Sequence, residues 1–112
     1  MQTLKKTADK NTLSNILTMC LNNKTISDFN TIVKYRSLIS NFNSAIECEL
    51  IDNQISFKAV NYSNSIQIVF LSDNSLILSS GILKGFEAHK MQNCDYNVQY
   101  DDIVSHIFYD KA

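Results

Sequence analysis

The stretch "AIECELIDNQISFKAV", residues Ala45–Val60, decides the fold of this 112-residue chain. Apolar and polar residues alternate on both sides of a central Asp-Asn pair, and this period of two is typical of half-buried β-strands. A two-residue loop at positions 52–53 predicts an antiparallel hairpin with one apolar and one polar face. A shift of one residue would mix the two faces, so the pattern also predicts the register. The predicted pairs are Leu50–Ile55, Cys48–Phe57 and Ile46–Ala59 on the apolar face, and Glu49–Ser56 and Glu47–Lys58 on the polar face.

A second hairpin is predicted over "IQIVFLSDNSLILSS", Ile66–Ser80, around another Asp-Asn pair at positions 73–74. In the matching register with a two-residue loop, both faces of this hairpin are apolar. One face holds Phe70 and Ile77, and the other holds four candidate interaction residues, Val69, Leu71, Leu76 and Leu78. Burying four such side chains stabilises by roughly 6–10 kcal/mol. We therefore expect the second face to be covered by the C-terminal helix, by a second copy of the chain or by a foreign partner.

Three segments have the 3.6-residue period of amphipathic helices. Residues 12–21 and 26–42 predict two N-terminal helices, and residues 101–110 predict a C-terminal helix capped by Asp101. The second helix has a broad apolar stripe that we expect to be buried, consisting of Ile26, Phe29, Ile32, Val33, Ile39 and Phe42.

The remaining segments are less regular. Residues 86–95 are ambiguous between helix, strand and loop, and the alternation in "YNVQY", residues 96–100, is compatible with a short fifth strand. We therefore expect an α+β fold of two N-terminal helices, a four-stranded antiparallel meander, this short fifth strand and a C-terminal helix. The length fits one globular domain over residues 1–112, in which residues 1–10 have no predicted element and could be flexible.

The composition is that of an ordinary globular protein, with 45% hydrophobic residues, 19% charged residues and a formal net charge of −1. No segment approaches the about 18 apolar residues of a membrane span. The N-terminus lacks the apolar run of a signal peptide. Three cysteines without metal or redox spacing are typical of a reducing compartment. We expect a cytoplasmic location, or the host cytoplasm if the abundance of Asn, Ile, Ser and Lys reflects a phage or low-GC bacterial gene.

Motifs for catalysis, metals and cofactors are missing from the sequence. There is no glycine-rich phosphate loop and no G-x-S-x-G nucleophile turn. His89 and Cys94 are spaced H-x4-C, but a zinc site needs three or four ligands. We therefore expect no catalytic residues, no metal and no cofactor, and we expect that the protein is not an enzyme.

These observations favour a small non-catalytic intracellular protein that binds another protein or itself through a sheet or helix surface. Inhibitors, immunity proteins, phage-encoded host modulators and adaptors are of this kind. Three tyrosines set among aspartates join the candidate contact residues, because tyrosine is enriched at protein interfaces and charged residues surround them. These tyrosines are Tyr96, Tyr100 and Tyr109.

A DNA-binding regulator is the alternative interpretation. Residues 1–43 carry six basic residues against two acidic ones, and the rest carries four lysines against nine acidic residues. Two helices followed by a hairpin are also the order of a winged helix-turn-helix, in which Lys24, Lys34 and Arg36 would contact phosphates. Glu47 and Glu49 on the hairpin argue against it, because they would repel a phosphate backbone.

Overall fold

The computed structural model describes residues 3–22, 24–42, 45–60, 64–82, 85–92 and 99–109. Within these ranges the fold is α+β, with three helices and six strands in one antiparallel sheet. The strands are β1 (Thr3–Ala8), β2 (Ile46–Ile51), β3 (Gln54–Val60), β4 (Asn64–Leu71), β5 (Ser75–Ile82) and β6 (Gly85–Gln92), and the helices are α1 (Lys10–Met19), α2 (Ile26–Ser40) and α3 (Tyr100–Phe108). The strands follow one another across the sheet in chain order, so β1 and β6 are its two edges.

The β2–β3 hairpin has the predicted register. Cys48 lies opposite Phe57, and Glu47 lies opposite Lys58. The two-residue turn begins at Asp52, whose φ of 51° lies in the left-handed region that Asp and Asn tolerate better than most residues. The alternation of apolar and polar residues therefore predicted this hairpin correctly.

The predicted register of the β4–β5 hairpin was wrong by one residue, because its turn contains three residues instead of two. Phe70 lies opposite Leu76. The backbone N–H of Asn74 donates to the Leu71 carbonyl at 2.9 Å, and Asn74 has a φ of 66°. A tight turn followed by one left-handed residue is a common three-residue hairpin connection.

Asp73 stabilises the longer turn. Its Oδ1 accepts hydrogen bonds from the Ser75 backbone N–H at 2.9 Å and from the Ser75 hydroxyl at 2.6 Å. These two bonds hold the pKa of the Asp73 carboxyl below its ordinary value. The Asp-Asn pair that suggested a two-residue turn thus forms the last two positions of a longer one.

The shift changes which residues of β5 face the core, since successive side chains of a strand point to opposite sides. Leu76 and Leu78 are completely buried beside Phe70, and Ile77 lies on the other side opposite Val69. We call the buried side the covered face and the other side the open face. The buried residues of the covered face are Ala8, Ile46, Cys48, Ile55, Phe57, Ala59, Ile66, Ile68, Phe70, Leu76, Leu78, Ser80 and Met91.

All three helices pack on the covered face. Their buried side chains form one core with those of the sheet, and Ile103 and Ile107 of α3 belong to this core. Lys6, which pairs with Cys48 on the covered face, donates from Nζ to the Ile107 carbonyl at 2.8 Å. The expectation that the C-terminal helix covers the side of Val69 was therefore wrong.

The sheet has six strands, so the predicted number of four was wrong. The prediction missed β1 because neither side of "TLKKTA" is uniformly apolar. The segment nevertheless pairs with β2 along all six of its residues. Without β1, the backbone groups of β2 would be left unpaired at an edge. The ambiguous residues 86–92 form most of β6. Of the predicted fifth strand, Tyr100 is the first residue of α3, and residues 96–98 lie outside the described residues.

Candidate protein-interaction surfaces

The clearest exposed apolar surface lies on α2. The helix begins at a Thr25 cap, whose side chain accepts from the Asp28 backbone N–H, and it buries Ile32, Tyr35 and Ile39. Ile26, Phe29 and Val33, which we call the α2 stripe, are instead 81%, 44% and 41% exposed. The prediction that these three are buried was wrong, because a helix that packs on a sheet buries only one side.

The α2 stripe runs along one side of the helix, since residues spaced i, i+3 and i+7 share a side. The exposed residues beside it are mostly uncharged, namely Ser27, Asn30, Ser37 and Ser40, with Lys34 as the charged exception. An aromatic ring among aliphatic side chains with few charges is typical of the centre of a protein–protein interface.

The open face is the second candidate surface. Its centre is half-buried and apolar, with Val69 opposite Ile77, and with Ile51 and Leu71 on either side of Gln54. No described helix packs against this centre. Charged residues lie on both sides of it, with Lys90 beside Ile77 on β6 and four residues on the β1–β3 side, Lys5, Glu47, Glu49 and Lys58.

A row of polar contacts joins α2 to β6 at the edge of the sheet. His89 Nε2 lies 2.8 Å from Asp28 Oδ1, and Lys34 Nζ lies 3.0 Å from both carboxylate oxygens of Glu87. The hydrogen bond from Lys34 is the main reason why the pKa of Glu87 lies below its ordinary value. Glu87 and His89, which lie two positions apart on the covered side of β6, are therefore both held by side chains of α2.

Tyr35 carries this polar row into the core. Its ring is completely buried, and its hydroxyl lies 3.2 Å from both Ser80 Oγ and Glu87 Oε1. Burial raises the pKa of the Tyr35 phenol above its ordinary value. The Tyr35 hydroxyl therefore has hydrogen-bond partners on both β5 and β6, although the ring that carries it is buried.

Two of the three basic residues of the DNA-binding alternative contact other groups of the chain. Lys24 Nζ donates to the Gln92 carbonyl at 2.6 Å, and Lys34 pairs with Glu87. Arg36 is half-buried, and its Nε has no hydrogen-bond partner among the described residues. The three therefore do not form one free basic row along α2.

The predicted contact tyrosines do not form one patch within the described residues. Tyr109 is 58% exposed after the end of α3, whereas Tyr100 is half-buried and packs against the core. The Tyr100 backbone N–H donates to Asn74 Oδ1 at 2.8 Å, which links the start of α3 to the β4–β5 turn. Tyr96 lies outside the described residues.

An open cleft of about 350 Å³ lies between α1 and α3. Met19, which is 54% exposed, lies on one side of it, and Asp102 and His106 lie on the other. The other lining residues are Thr12, Asn15, Ile16 and Ile103. The cleft has an apolar floor, so it is a binding candidate for a side chain more than for an ion.

The two cysteines that the structure describes belong to the hydrophobic core. Cys20 and Cys48 are buried, and burial raises the pKa of the Cys48 thiol to about 12 although Lys6 lowers it. A thiol with so high a pKa is a poor nucleophile at neutral pH. Among the described residues, no three His, Cys, Asp or Glu side chains come close enough to hold a metal ion. Cys94 lies outside the described residues.

Comparison of the chain with protein-family models, with curated proteins and with solved structures found no match. In the part of the chain that the structure describes, no helix is long and apolar enough to cross a membrane.

Proposed function

We propose that this is a small non-catalytic protein that binds another protein through the α2 stripe. The observation that carries the proposal is the exposure of three large apolar side chains on one side of a single helix. Isolated exposed apolar residues are common on protein surfaces, but contiguous ones are typical of binding sites. Phe29 lies between the other two along the helix and is the candidate anchor of the interface.

The energetics favour a bound partner. Each large apolar side chain that moves from water into an apolar groove contributes about 1.5–3 kcal/mol, and the half-exposed Phe29 and Val33 contribute less than that. A helix that presents apolar residues at i, i+3 and i+7 to a hydrophobic groove is a recurring mode of recognition. The proposed partner is therefore a protein with an apolar groove. This chain would act on it as an inhibitor, immunity protein, host modulator or adaptor.

The same proposal places the protein in a reducing compartment such as the cytoplasm of a bacterium, or of a host cell for a phage protein. Cys20 and Cys48 are buried in the core, and buried cysteines that serve as small apolar residues are typical of such compartments. Neither thiol contributes to the α2 stripe, so partner binding does not depend on the redox state of these two residues.

The test is affinity capture from the cells that express the protein, with the wild type and two variants. Phe29→Asp places a charge in the α2 stripe, and Val60→Asp is the matched control, since Val60 is 54% exposed at the end of β3, outside the stripe and outside β6. We expect a protein that is retained by the wild type and by Val60→Asp, and lost with Phe29→Asp. Equal retention by both variants would show that the α2 stripe is not the binding surface.

A further inference from the structure

The outer edge of β6 has backbone groups that no described strand pairs with. Ile82 and Gly85 face each other at the β5–β6 connection, and only two residues separate them. Residues that flank a two-residue hairpin connection exchange hydrogen bonds, and the hydrogen-bonded pairs then alternate along the ladder. The backbone groups of Phe86, Ala88 and Lys90 therefore point away from β5.

The hydrogen bond from Lys24 to Gln92 is consistent with backbone groups of β6 that point away from β5. Gln92 belongs to the same outward set, and its carbonyl accepts a 2.6 Å hydrogen bond from Lys24 Nζ. The bond occupies the outward carbonyl at the end of β6. The middle of the strand, from Phe86 to Lys90, is left as the part of the edge where another strand can add.

The two edges of the sheet differ in their side chains. β1 carries Lys5 and Lys6 at its centre, and lysines on an edge strand are a common device against edge-to-edge pairing. β6 carries the small residue Ala88 at its centre, and its one lysine, Lys90, lies two residues nearer its end. The β6 edge is therefore the one that another strand can approach closely.

Antiparallel pairing of β6 with a second copy of itself would match the outward-pointing backbone groups of the two chains. A two-fold axis at Ala88 keeps the two open faces on the same side and sets outward-pointing residues opposite each other. Phe86 then lies opposite the partner's Lys90. Glu87 lies opposite the partner's His89 in a pair without hydrogen bonds, where side chains come closest.

This register also places hydrogen-bonding side chains opposite each other on the covered side of the two strands. Within one chain, Asp28 contacts His89 and Lys34 contacts Glu87. Across the axis, Glu87 of each chain lies opposite the partner's His89, so a carboxylate faces an imidazole ring that can donate a hydrogen bond. Polar side chains that pair in directly facing positions of a sheet are stabilising.

We propose that the protein forms a two-fold symmetric homodimer by antiparallel pairing of β6 with β6 around Ala88, which joins the two sheets into one continuous sheet. The interface consists of β6 residues and does not include Ile26, Phe29 or Val33 of the α2 stripe, so variants of β6 and of the stripe test the two proposals separately.

Light scattering during size-exclusion chromatography of the full chain, over a range of concentrations, tests the dimer. We expect a wild-type dimer, a monomer for Ala88→Pro, and a dimer for the control Thr7→Pro, which makes the same change at an outward position of β1. Ala88→Lys removes no backbone donor, and we expect a folded monomer because two lysines would meet at the axis. A monomeric wild type at every concentration, or a dimer that persists in both Ala88 variants, would overturn the proposal.

Cysteine cross-linking in a Cys94→Ser background tests the register. Facing residues of a hydrogen-bonded pair have Cα atoms about 5.5 Å apart, which a disulfide can span. We expect Ala88→Cys to form a covalent dimer under mild oxidation, and Thr7→Cys to stay monomeric on denaturing gels. Cross-linking through His89→Cys in place of Ala88→Cys would place the axis elsewhere and overturn the pairing of Glu87 with the partner's His89. Phe29→Asp should leave cross-linking unchanged.

Discussion

Phe70 lies directly opposite Leu76 across β4 and β5, and this pairing decides which residues of β5 enter the core. Leu76 and Leu78 are completely buried on the covered face, and Ile77 is half-buried on the open face. A hairpin one residue out of this register would bury Ile77 and expose both leucines. The pairing explains why the β4–β5 hairpin needs no helix on its second face.

The register predicts how two neighbouring positions respond to truncation. Leu78→Ala should lower the free energy of unfolding by about 2–5 kcal/mol, because it leaves a cavity in a packed core. Ile77→Ala should lower it by about 1 kcal/mol or less, since that side chain already contacts solvent. Urea denaturation of the two variants checks the order, and a larger loss for Ile77→Ala would contradict the observed pairing.

Asn74 should tolerate glycine better than alanine. Its φ of 66° costs a residue with a Cβ about 1–2 kcal/mol, whereas glycine adopts it freely. Either change removes the acceptor for the Tyr100 N–H, a bond that contributes about 0.5–1.5 kcal/mol. We expect Asn74→Ala to be the less stable of the two in thermal unfolding. Faster amide exchange at the start of α3 in both variants would confirm the link, and unchanged exchange would argue against it.

The α2 stripe should contribute little to folding. Ile26→Ser should change the free energy of unfolding by about 1 kcal/mol or less, because that side chain is 81% exposed, and Val33→Ser should cost somewhat more, because Val33 is 41% exposed. Ile32→Ser, at a completely buried position of the same helix, should cost several times as much. Chemical denaturation compares the three. Similar losses at all three positions would mean that the stripe is part of the core and not a binding surface.

Protonation of Glu87 should lower the stability of the folded protein in acid. Its pKa is lowered from the ordinary value of 4.5 in the folded state, chiefly by the Lys34 hydrogen bond, so its contribution is complete above about pH 4.5. The contribution is lost as the pH falls through the lower, folded-state pKa. We expect Glu87→Gln to flatten this part of the stability profile, with Glu47→Gln on the open face as the control. Identical profiles for the wild type and Glu87→Gln would contradict the ion pair.

Cys48 should be protected from thiol reagents in the folded protein. Its thiol is buried and has a pKa of about 12, so almost no thiolate exists at neutral pH. In a Cys94→Ser background, we expect Cys20 and Cys48 to react with an aromatic disulfide reagent only as fast as the chain unfolds. The measurement is the release of the chromophore with and without denaturant. Rapid reaction of one thiol without denaturant would indicate an accessible cysteine.

Local patterns predicted the parts of the fold that depend on neighbouring residues. The period of two around positions 52–53 predicted the β2–β3 register, since only one register separates its apolar and polar residues. The period of 3.6 predicted three helices, but their bounds differ from the predicted ones and α1 follows a strand instead of opening the fold. The same patterns could not predict β1, because neither side of its six residues is uniformly apolar. These residues form a strand by pairing with the backbone of β2.

The candidate surfaces were predicted only in part. Val69 and Leu71 do lie on a face without a described helix, but Leu76 and Leu78 have no exposed surface in this chain. The α2 stripe falls within the predicted core. A helical period shows which residues share a side of the helix, but it does not show which element covers that side. The polar row along β6 had no sequence signal, since its partners are separated by more than 50 positions.

The sequence by itself determined an α+β chain with an antiparallel meander, one unambiguous hairpin and three amphipathic helices, because these follow from side-chain periods of 2 and 3.6 residues. Only the tertiary structure decided the register of the β4–β5 hairpin, the two edge strands and the side of the sheet on which α3 packs. The physical reason is that "IQIVFLSDNSLILSS" is apolar in both registers. The left-handed Asn74, the Asp73 side chain and the helices packed over Phe70 and Leu76 select one of them.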